Sequence, residues 1–210
     1  MSQNVRKECP KCLRPQKTCL CSCITSIDNH IELGILQHPN ELGHSKGTAI
    51  IAQLSLNKVR HWMAEDVAHL VDFHSWMASG SVYLLYPPTE DDTGTYQTYT
   101  IRQLADLSDG NSPEKSHFNP IKVLMLDATW RKSYKMMQVN PILQQLDRVI
   151  LNPAHHSGYL IRKQKNERSL SSIEAIYELL SQLESDPDKY QPLLDAFAKM
   201  QQTHLSYRRK

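Results

Sequence analysis

Four short apolar runs, each cut off by a proline or a carboxylate, set the architecture this chain can adopt. IELGILQ (Ile31 to Gln37) runs into His38-Pro39, SVYLLY (Ser81 to Tyr86) into Pro87-Pro88, IKVLML (Ile121 to Leu126) into Asp127, and RVILN into Pro153. Each is too short for a buried helix and rich enough in branched and aromatic residues to read as a buried strand. Proline cannot donate to a ladder, so the chain turns where these runs stop.

The stretches between them carry helical spacing. KGTAIIAQLSLNKV places Ala49, Ile50, Leu54 and Val59 on one side, which predicts a helix starting near Gly47-Thr48. Further helices are expected over Glu65 to Ala78, in YTIRQLADL, from Trp130 onward, over Ser169 to Leu183, and around Leu193 to Met200. TEDDTGTYQT and SDGNSPEKSHFNP read as loops. Short strands alternating with helices predict an α/β fold, with a mainly parallel sheet covered by helices on both faces. Ligands of such sheets bind beyond the C-terminal strand ends, where HPNE, YPP, DATW and LNP all fall.

All five cysteines of the 210-residue chain lie between Cys9 and Cys23. The spacing C-x2-C-x6-C-x-C gathers Cys9, Cys12, Cys19 and Cys21, with Pro10 and Pro15 restricting the loop. Four thiolates suit tetrahedral zinc in a closed, structural site. Cys23 is a fifth thiol, either a spare or a substitute for Cys21. Lys7, Lys11, Arg14 and Lys17 decorate the same segment. This predicts a zinc knuckle over residues 1–28 and an α/β domain over residues 29–210.

The chain has no apolar run near the roughly 20 residues that span a bilayer, and MSQNVRKECPK lacks a signal-peptide core. A cytoplasmic protein with reduced thiols is the expectation, with no membrane partner. A net charge of +2 with 22% charged residues does not by itself mark a nucleic-acid binder, so any such case rests on local clusters. The densest is Arg162, Lys163, Lys165 and Arg168; Lys132 and Lys135 follow DATW. Around a strand-end cleft they form a phosphate-binding rim suited to RNA, although each cluster taken singly reads equally as a solvated face.

The familiar cradles are missing: no G-x-G-x-x-G follows a strand, and neither a P-loop nor a G-x-S-x-G elbow occurs. Asp127 is the best candidate for chemistry, a carboxylate at the end of an apolar strand and suited to general-base work. Thr129 caps a helix or bonds a ligand, and Trp130 packs the core or stacks on a flat ring. Ser171 and Glu174 have the spacing of a capping box, which also aims the helix amides and serine hydroxyls at any ligand there.

CPKCLRPQKTCLC, LQHPNE, KGTAIIAQLSL, LLYP, LDATW, NPILQQL, YLIRK and LSSIEA occur in this order. As an ordered set they resemble the DTW-domain family, named for its D-x-T-W motif, over nearly the whole chain. Ser172 stands where that pattern has threonine, keeping the hydroxyl. The resemblance implies a tRNA-uridine aminocarboxypropyltransferase related to the SPOUT class, with a C-terminal trefoil knot. It implies transfer of the 3-amino-3-carboxypropyl group of S-adenosylmethionine to N3 of a variable-loop uridine, releasing methylthioadenosine. Asp127 would then act as base, with Thr129 and Trp130 ordering the site. Leu85, Tyr86, Pro87, Ser171, Ser172, Glu174 and Arg162 would line the cofactor pocket. His38, Glu41 and Thr48 match the HP-x-E and G-T motifs; His38, Glu41, Lys132, Lys135, Lys163 and Lys165 would face RNA. Two alternatives stand beside this reading: an S-adenosylmethionine-dependent RNA methyltransferase and a non-enzymatic, zinc-containing RNA-binding module.

Overall fold

The structure, a computed structural model, describes residues 7–44, 46–89, 95–108, 120–151, 158 and 170–208. In chain order the elements are β1 (Glu32–Gln37), α1 (Ala49–Ser55), β2 (Val59–Met63), α2 (Val71–Ala78), β3 (Ser81–Leu85), β4 (Thr98–Thr100), α3 (Ile101–Ser108), β5 (Ile121–Asp127), α4 (Trp130–Val139), α5 (Pro141–Gln144), β6 (Arg148–Ile150), α6 (Ser172–Leu183) and α7 (Pro187–Arg208). The six strands form one all-parallel sheet in the order β2-β1-β5-β3-β6-β4.

Side chains alternate across the sheet and so feed two separate cores. Leu33, Ile35, Val123, Met125 and Val149 pack against α1, α3, α6 and α7 on one face. Leu36, Leu84 and Leu124 meet α2, α4 and α5 on the other, around Trp62, Phe73 and Trp76. Trp62 stands edge-on to Phe73, with ring centroids 5.1 Å apart. Gly34 is required here: a Cβ on it would lie 2.6 Å from the Trp76 ring and 3.1 Å from Leu124. The expected layering, helices on both faces of a parallel sheet, is what these residues build.

Two strands are absent from the sequence reading. β2 takes Val59, which helical spacing assigned to the preceding helix. α1 instead stops at Ser55, because buried Asn29 seizes the chain beyond it. The Asn29 side chain accepts from Lys58 N at 2.9 Å and donates to the Lys58 and Ile31 carbonyls at 2.9 and 2.8 Å. That long-range clamp outweighs local spacing. β4 straddles the end of the expected loop and takes Tyr99 and Thr100 from the expected helix YTIRQLADL, and three edge residues are too few to display alternation. The helix expected over Glu65 to Ala78 begins only at Val71, since the amides before it bond to Asn140 and Asp66 side chains.

The cysteine segment is fastened to the α/β body. Leu20 sits in the core that includes α6 and α7, and Tyr207 donates to the Lys17 carbonyl at 3.3 Å. Arg14, read from sequence as surface charge, is buried and donates to the Gly47 carbonyl at 2.6 Å. Among the described residues, no helix is long and apolar enough to cross a membrane. Arg162, Lys163, Lys165 and Arg168 lie outside the described residues, as do Asn152, Pro153, His155 and His156.

Candidate functional site at the strand ends

Neighbouring strands β1 and β5 send their connections to opposite faces of the sheet. The chain leaving β1 enters α1 on one face, and the chain leaving β5 enters α4 on the other. Such a divergence opens a crevice at the C-terminal strand ends. Asp127, the last residue of β5, stands at it and is 8% exposed. Its carboxylate accepts from Gln37 Nε2 at 2.7 Å and from Ser172 Oγ at 2.6 Å, while its carbonyl accepts from His38 N at 3.1 Å.

Parallel register makes the first of these bonds, because Gln37 is paired with Asp127 across the ladder. The amide is oriented in turn from β2: His61 Nε2 lies 3.3 Å from Gln37 Oε1 and donates to it. Burial pushes the His61 pKa down, against the opposing pull of the Asp127 carboxylate. A line of hydrogen bonds thus crosses three strands and ends on α6. Both carboxylate oxygens accept neutral donors, an arrangement that fixes the direction of the group.

Ser172 reaches Asp127 because α6 begins at the crevice. Ser171 and Glu174 form the expected capping box: Glu174 Oε2 accepts from Ser171 N at 2.7 Å, and Glu174 N donates to Ser171 Oγ at 3.4 Å. Glu174 Oε1 accepts from Gly158 N at 2.7 Å, so this buried carboxylate also ties residue 158 to the head of the helix. Ile173 N donates to Thr48 Oγ1 at 3.3 Å, joining α6 to the start of α1.

Aromatic residues flank the carboxylate. Tyr86 is buried just beyond β3, with half-buried Leu85 and exposed Pro87 beside it, and its ring lies 5.9 Å from that of Trp130. Trp130 opens α4 and is 59% exposed, although Trp at a helix start ordinarily packs the core. Behind Tyr86 lies Arg148, wholly buried, its guanidinium 4.0 Å from the Tyr96 ring centroid and 5.3 Å from that of Tyr86. Arg148 also donates to the Pro87 carbonyl at 3.0 Å, supporting the turn after β3.

At the start of α4 a cleft of about 540 Å³ is lined by His38, Asn40, Glu65, Thr129, Arg131, Lys132, Tyr134 and Lys135. His38 is buried; its Nδ1 accepts from Asn40 N at 3.1 Å, leaving Nε2 to donate to Glu65 at 2.9 Å. Lys135 meets the other Glu65 oxygen at 2.7 Å, and Lys132 meets Glu41 at 2.6 Å. Hydrogen bonds from Lys135 first, then His38, hold the Glu65 pKa below its ordinary value. His38 and Glu41, matched by sequence to an RNA-facing motif, are thus engaged with neighbouring side chains at the strand ends.

The structure therefore brings Asp127, Ser172, Ser171 and Glu174 into one hydrogen-bonded unit and Tyr86 and Trp130 into another. Thr129 forms the N-cap of α4 without a side-chain capping bond and lines the cleft. Gln37, His61, Glu65 and Arg148 were not singled out from sequence. Gln37 had a visible signal, a polar amide closing an apolar strand; Arg148 had none.

In the N-terminal segment the Sγ atoms of Cys9, Cys12, Cys19 and Cys21 lie within 4.8 Å of one another. Cys9 and Cys21 are 3.6 Å apart, and Cys12 and Cys19 3.7 Å. A zinc–sulfur bond of about 2.3 Å gives a tetrahedron with edges of about 3.8 Å, so this donor set fits that ion. Cys21, and not Cys23, is the fourth thiol of this cluster. Backbone amides of Cys12 and Lys11 push the Cys9 thiol down to about 6, while burial and the neighbouring thiols push Cys21 up to about 12. A divalent cation would remove that mutual penalty and let all four ionise.

The sheet and its strand-end crevice define a parallel α/β protein with a buried carboxylate at the crevice and a cysteine-rich module attached. The DTW domain family matches residues 6–205, and the chain belongs to that family. It is 28% identical over 204 residues to "tRNA-uridine aminocarboxypropyltransferase 2" of Drosophila melanogaster, covering 91% of this chain and 72% of that protein. It is 26% identical over 212 residues to "tRNA-uridine aminocarboxypropyltransferase A" of Arabidopsis thaliana, covering 92% of this chain and 79% of the relative. No solved structure matches this chain.

Proposed function

We propose that this protein is a tRNA-uridine aminocarboxypropyltransferase that takes the 3-amino-3-carboxypropyl group of S-adenosylmethionine to N3 of a variable-loop uridine. Family membership and the names of the relatives support the reaction class; one observation within the chain carries the mechanism. That observation is Asp127, buried at the divergence of β1 and β5 and held by Gln37 and Ser172.

S-adenosylmethionine supplies an activated carbon beside a positively charged sulfur. The acceptor supplies N3, whose proton must leave as the nitrogen becomes nucleophilic. On this reading Asp127 takes that proton, with Gln37 and Ser172 keeping the carboxylate aimed. The N3–carbon bond forms as the carbon–sulfur bond breaks, its electrons return to sulfur, and neutral methylthioadenosine departs.

Leu85, Tyr86 and Pro87 at the end of β3, Ser171, Ser172 and Glu174 at the head of α6, and Arg162 would hold the donor. Thr129 and Trp130 would order the acceptor. His38, Glu41, Lys132, Lys135, Lys163 and Lys165 would shape the tRNA-facing surface, His38 and Glu41 by positioning cationic neighbours. Zinc on the four cysteines would be structural, folding a segment that has little core of its own. The same reading gives the chain the knotted SPOUT-type fold and a cytoplasmic setting.

The test uses unmodified tRNA and S-adenosylmethionine labelled differently in its methyl group and its carboxypropyl chain. Carboxypropyl label on uridine, with methylthioadenosine released, is expected. Methyl label on RNA would make the protein a methyltransferase. Tight tRNA binding with neither label transferred would make it a binding module.

A further inference from the structure

The first half of α4 turns an unusual set of side chains outward. Trp130 is 59% exposed and Tyr134 39% exposed, one helical turn apart and so on one face. Arg131 and Lys135 are exposed beside them, Lys132 is half-buried, and α4 contains no acidic residue. The other tryptophans, Trp62 and Trp76, are 7% and 5% exposed and belong to the core. Trp130, three residues beyond the buried Asp127, leaves most of its indole in solvent, which marks a surface for a binding partner.

The charges narrow what that partner is. Lys132 and Lys135 are already paired with Glu41 and Glu65, whereas Arg131 makes no ion pair among the described residues. Among the described residues of this face, three cations against two carboxylates leave a net charge of +1, too little to hold a long stretch of phosphate backbone. The surface has stacking area for one or two flat rings and one available cation.

Uridine N3 lies on the Watson–Crick edge, where its proton is engaged in any base pair. On the reaction proposed above, on which this step rests, the acceptor nucleotide must be unpaired and lifted from its stack. Such a base needs a new platform to lie on. We infer that Trp130 and Tyr134 form a stacking platform for an unpaired pyrimidine nucleotide of RNA, with Arg131 on its phosphate, presenting the base edge to Asp127.

The experiment follows Trp130 emission in the full chain as a short single-stranded oligouridylate is added without S-adenosylmethionine. An RNA hairpin stem of equal phosphate count serves as comparison. Oligouridylate should quench the emission, the stem should not, and Trp130→Phe should abolish the signal while a thermal melt stays unchanged. Trp130→Ala should weaken oligouridylate binding on the order of 10-fold. Arg131→Ala should lower the slope of log affinity against log salt by about 0.7. Equal quenching by stem and single strand would overturn the platform, as would oligouridylate binding that Trp130→Ala leaves unchanged. Because no donor is present, a chain that shows the quench yet transfers no label would keep this inference and refute the proposed reaction.

Discussion

Gln37 and Asp127 stand opposite each other in the β1–β5 ladder, and the Gln37 amide donates to the Asp127 carboxylate at 2.7 Å. Neither side chain owes this contact to its own local sequence. Two parallel strands in register place an amide and a carboxylate side by side where their helices part. The catalytic proposal depends on that pairing, because it fixes one carboxylate oxygen while Ser172 on α6 fixes the other.

Removing either donor should weaken catalysis more than folding. Ser172→Ala leaves one buried carboxylate oxygen without its hydroxyl, at a cost of about 1–3 kcal/mol in the charged state. Transfer rates should fall at least 10-fold, while Ser172→Thr keeps the oxygen and most of the rate. Single-turnover kinetics on the two variants would show it. Equal activity of Ser172→Ala and wild type would mean that the hydroxyl does not hold the reacting group.

Metal content should separate the five cysteines. Cys21→Ser should lose the bound zinc and lower the melting temperature, since metal binding is part of the folding free energy of such a segment. Cys23→Ser should keep one zinc per chain. Elemental analysis of both purified variants decides it, and zinc retained in Cys21→Ser with loss in Cys23→Ser would reverse the assignment.

Glu184 should carry an acid-dependent share of stability. It accepts from His30 N at 2.7 Å, Ile31 N at 3.0 Å and Lys189 Nζ at 2.7 Å, joining the start of β1 to the end of α6. Burial alone would raise its pKa, but the bonds from Lys189, Ile31 and His30 together bring it below the ordinary 4.5. A depressed carboxylate stabilises above its unfolded value and loses that contribution as pH falls through the folded one. Glu184→Gln should therefore be less stable than wild type at pH 7, with the gap closing below about pH 4.5. Denaturant melts at both pH values measure this, and a gap that widens in acid would refute it.

Gly34→Ala should cost about 1–3 kcal/mol by overpacking. The added methyl would meet the Trp76 ring at 2.6 Å within a core already filled by Trp62 and Leu124. Trp76→Phe should recover part of the loss in the double variant, a coupling that a denaturant-melt cycle would detect.

Much of this was readable in the chain. The runs ending at His38, Pro87 and Asp127 showed where parallel strands stop, and a sheet of that kind puts its site there. Ser171 and Glu174 announced their capping box through spacing alone, and the first four cysteines their cluster. What stayed hidden depends on distant partners. Val59 changes from helix to strand because Asn29 clamps Lys58. Gln37 and His61 acquire their role only when β2, β1 and β5 come into register. Arg148 looks like the start of an ordinary strand until the turn after β3 folds over it with Tyr86 and Pro87. Glu41 and Glu65 become partners of Lys132 and Lys135 through tertiary structure alone.

The most direct test of the central claim is a single-turnover assay of wild type and Asp127→Asn with unmodified tRNA, reading methylthioadenosine release and carboxypropyl-uridine together. Asparagine keeps the shape of the residue and removes its ability to take a proton. The account predicts that both products fall by about 100-fold or more, with the melting temperature, zinc content and tRNA affinity close to wild type. Turnover by Asp127→Asn within a few-fold of wild type would contradict it and move the base elsewhere in the crevice.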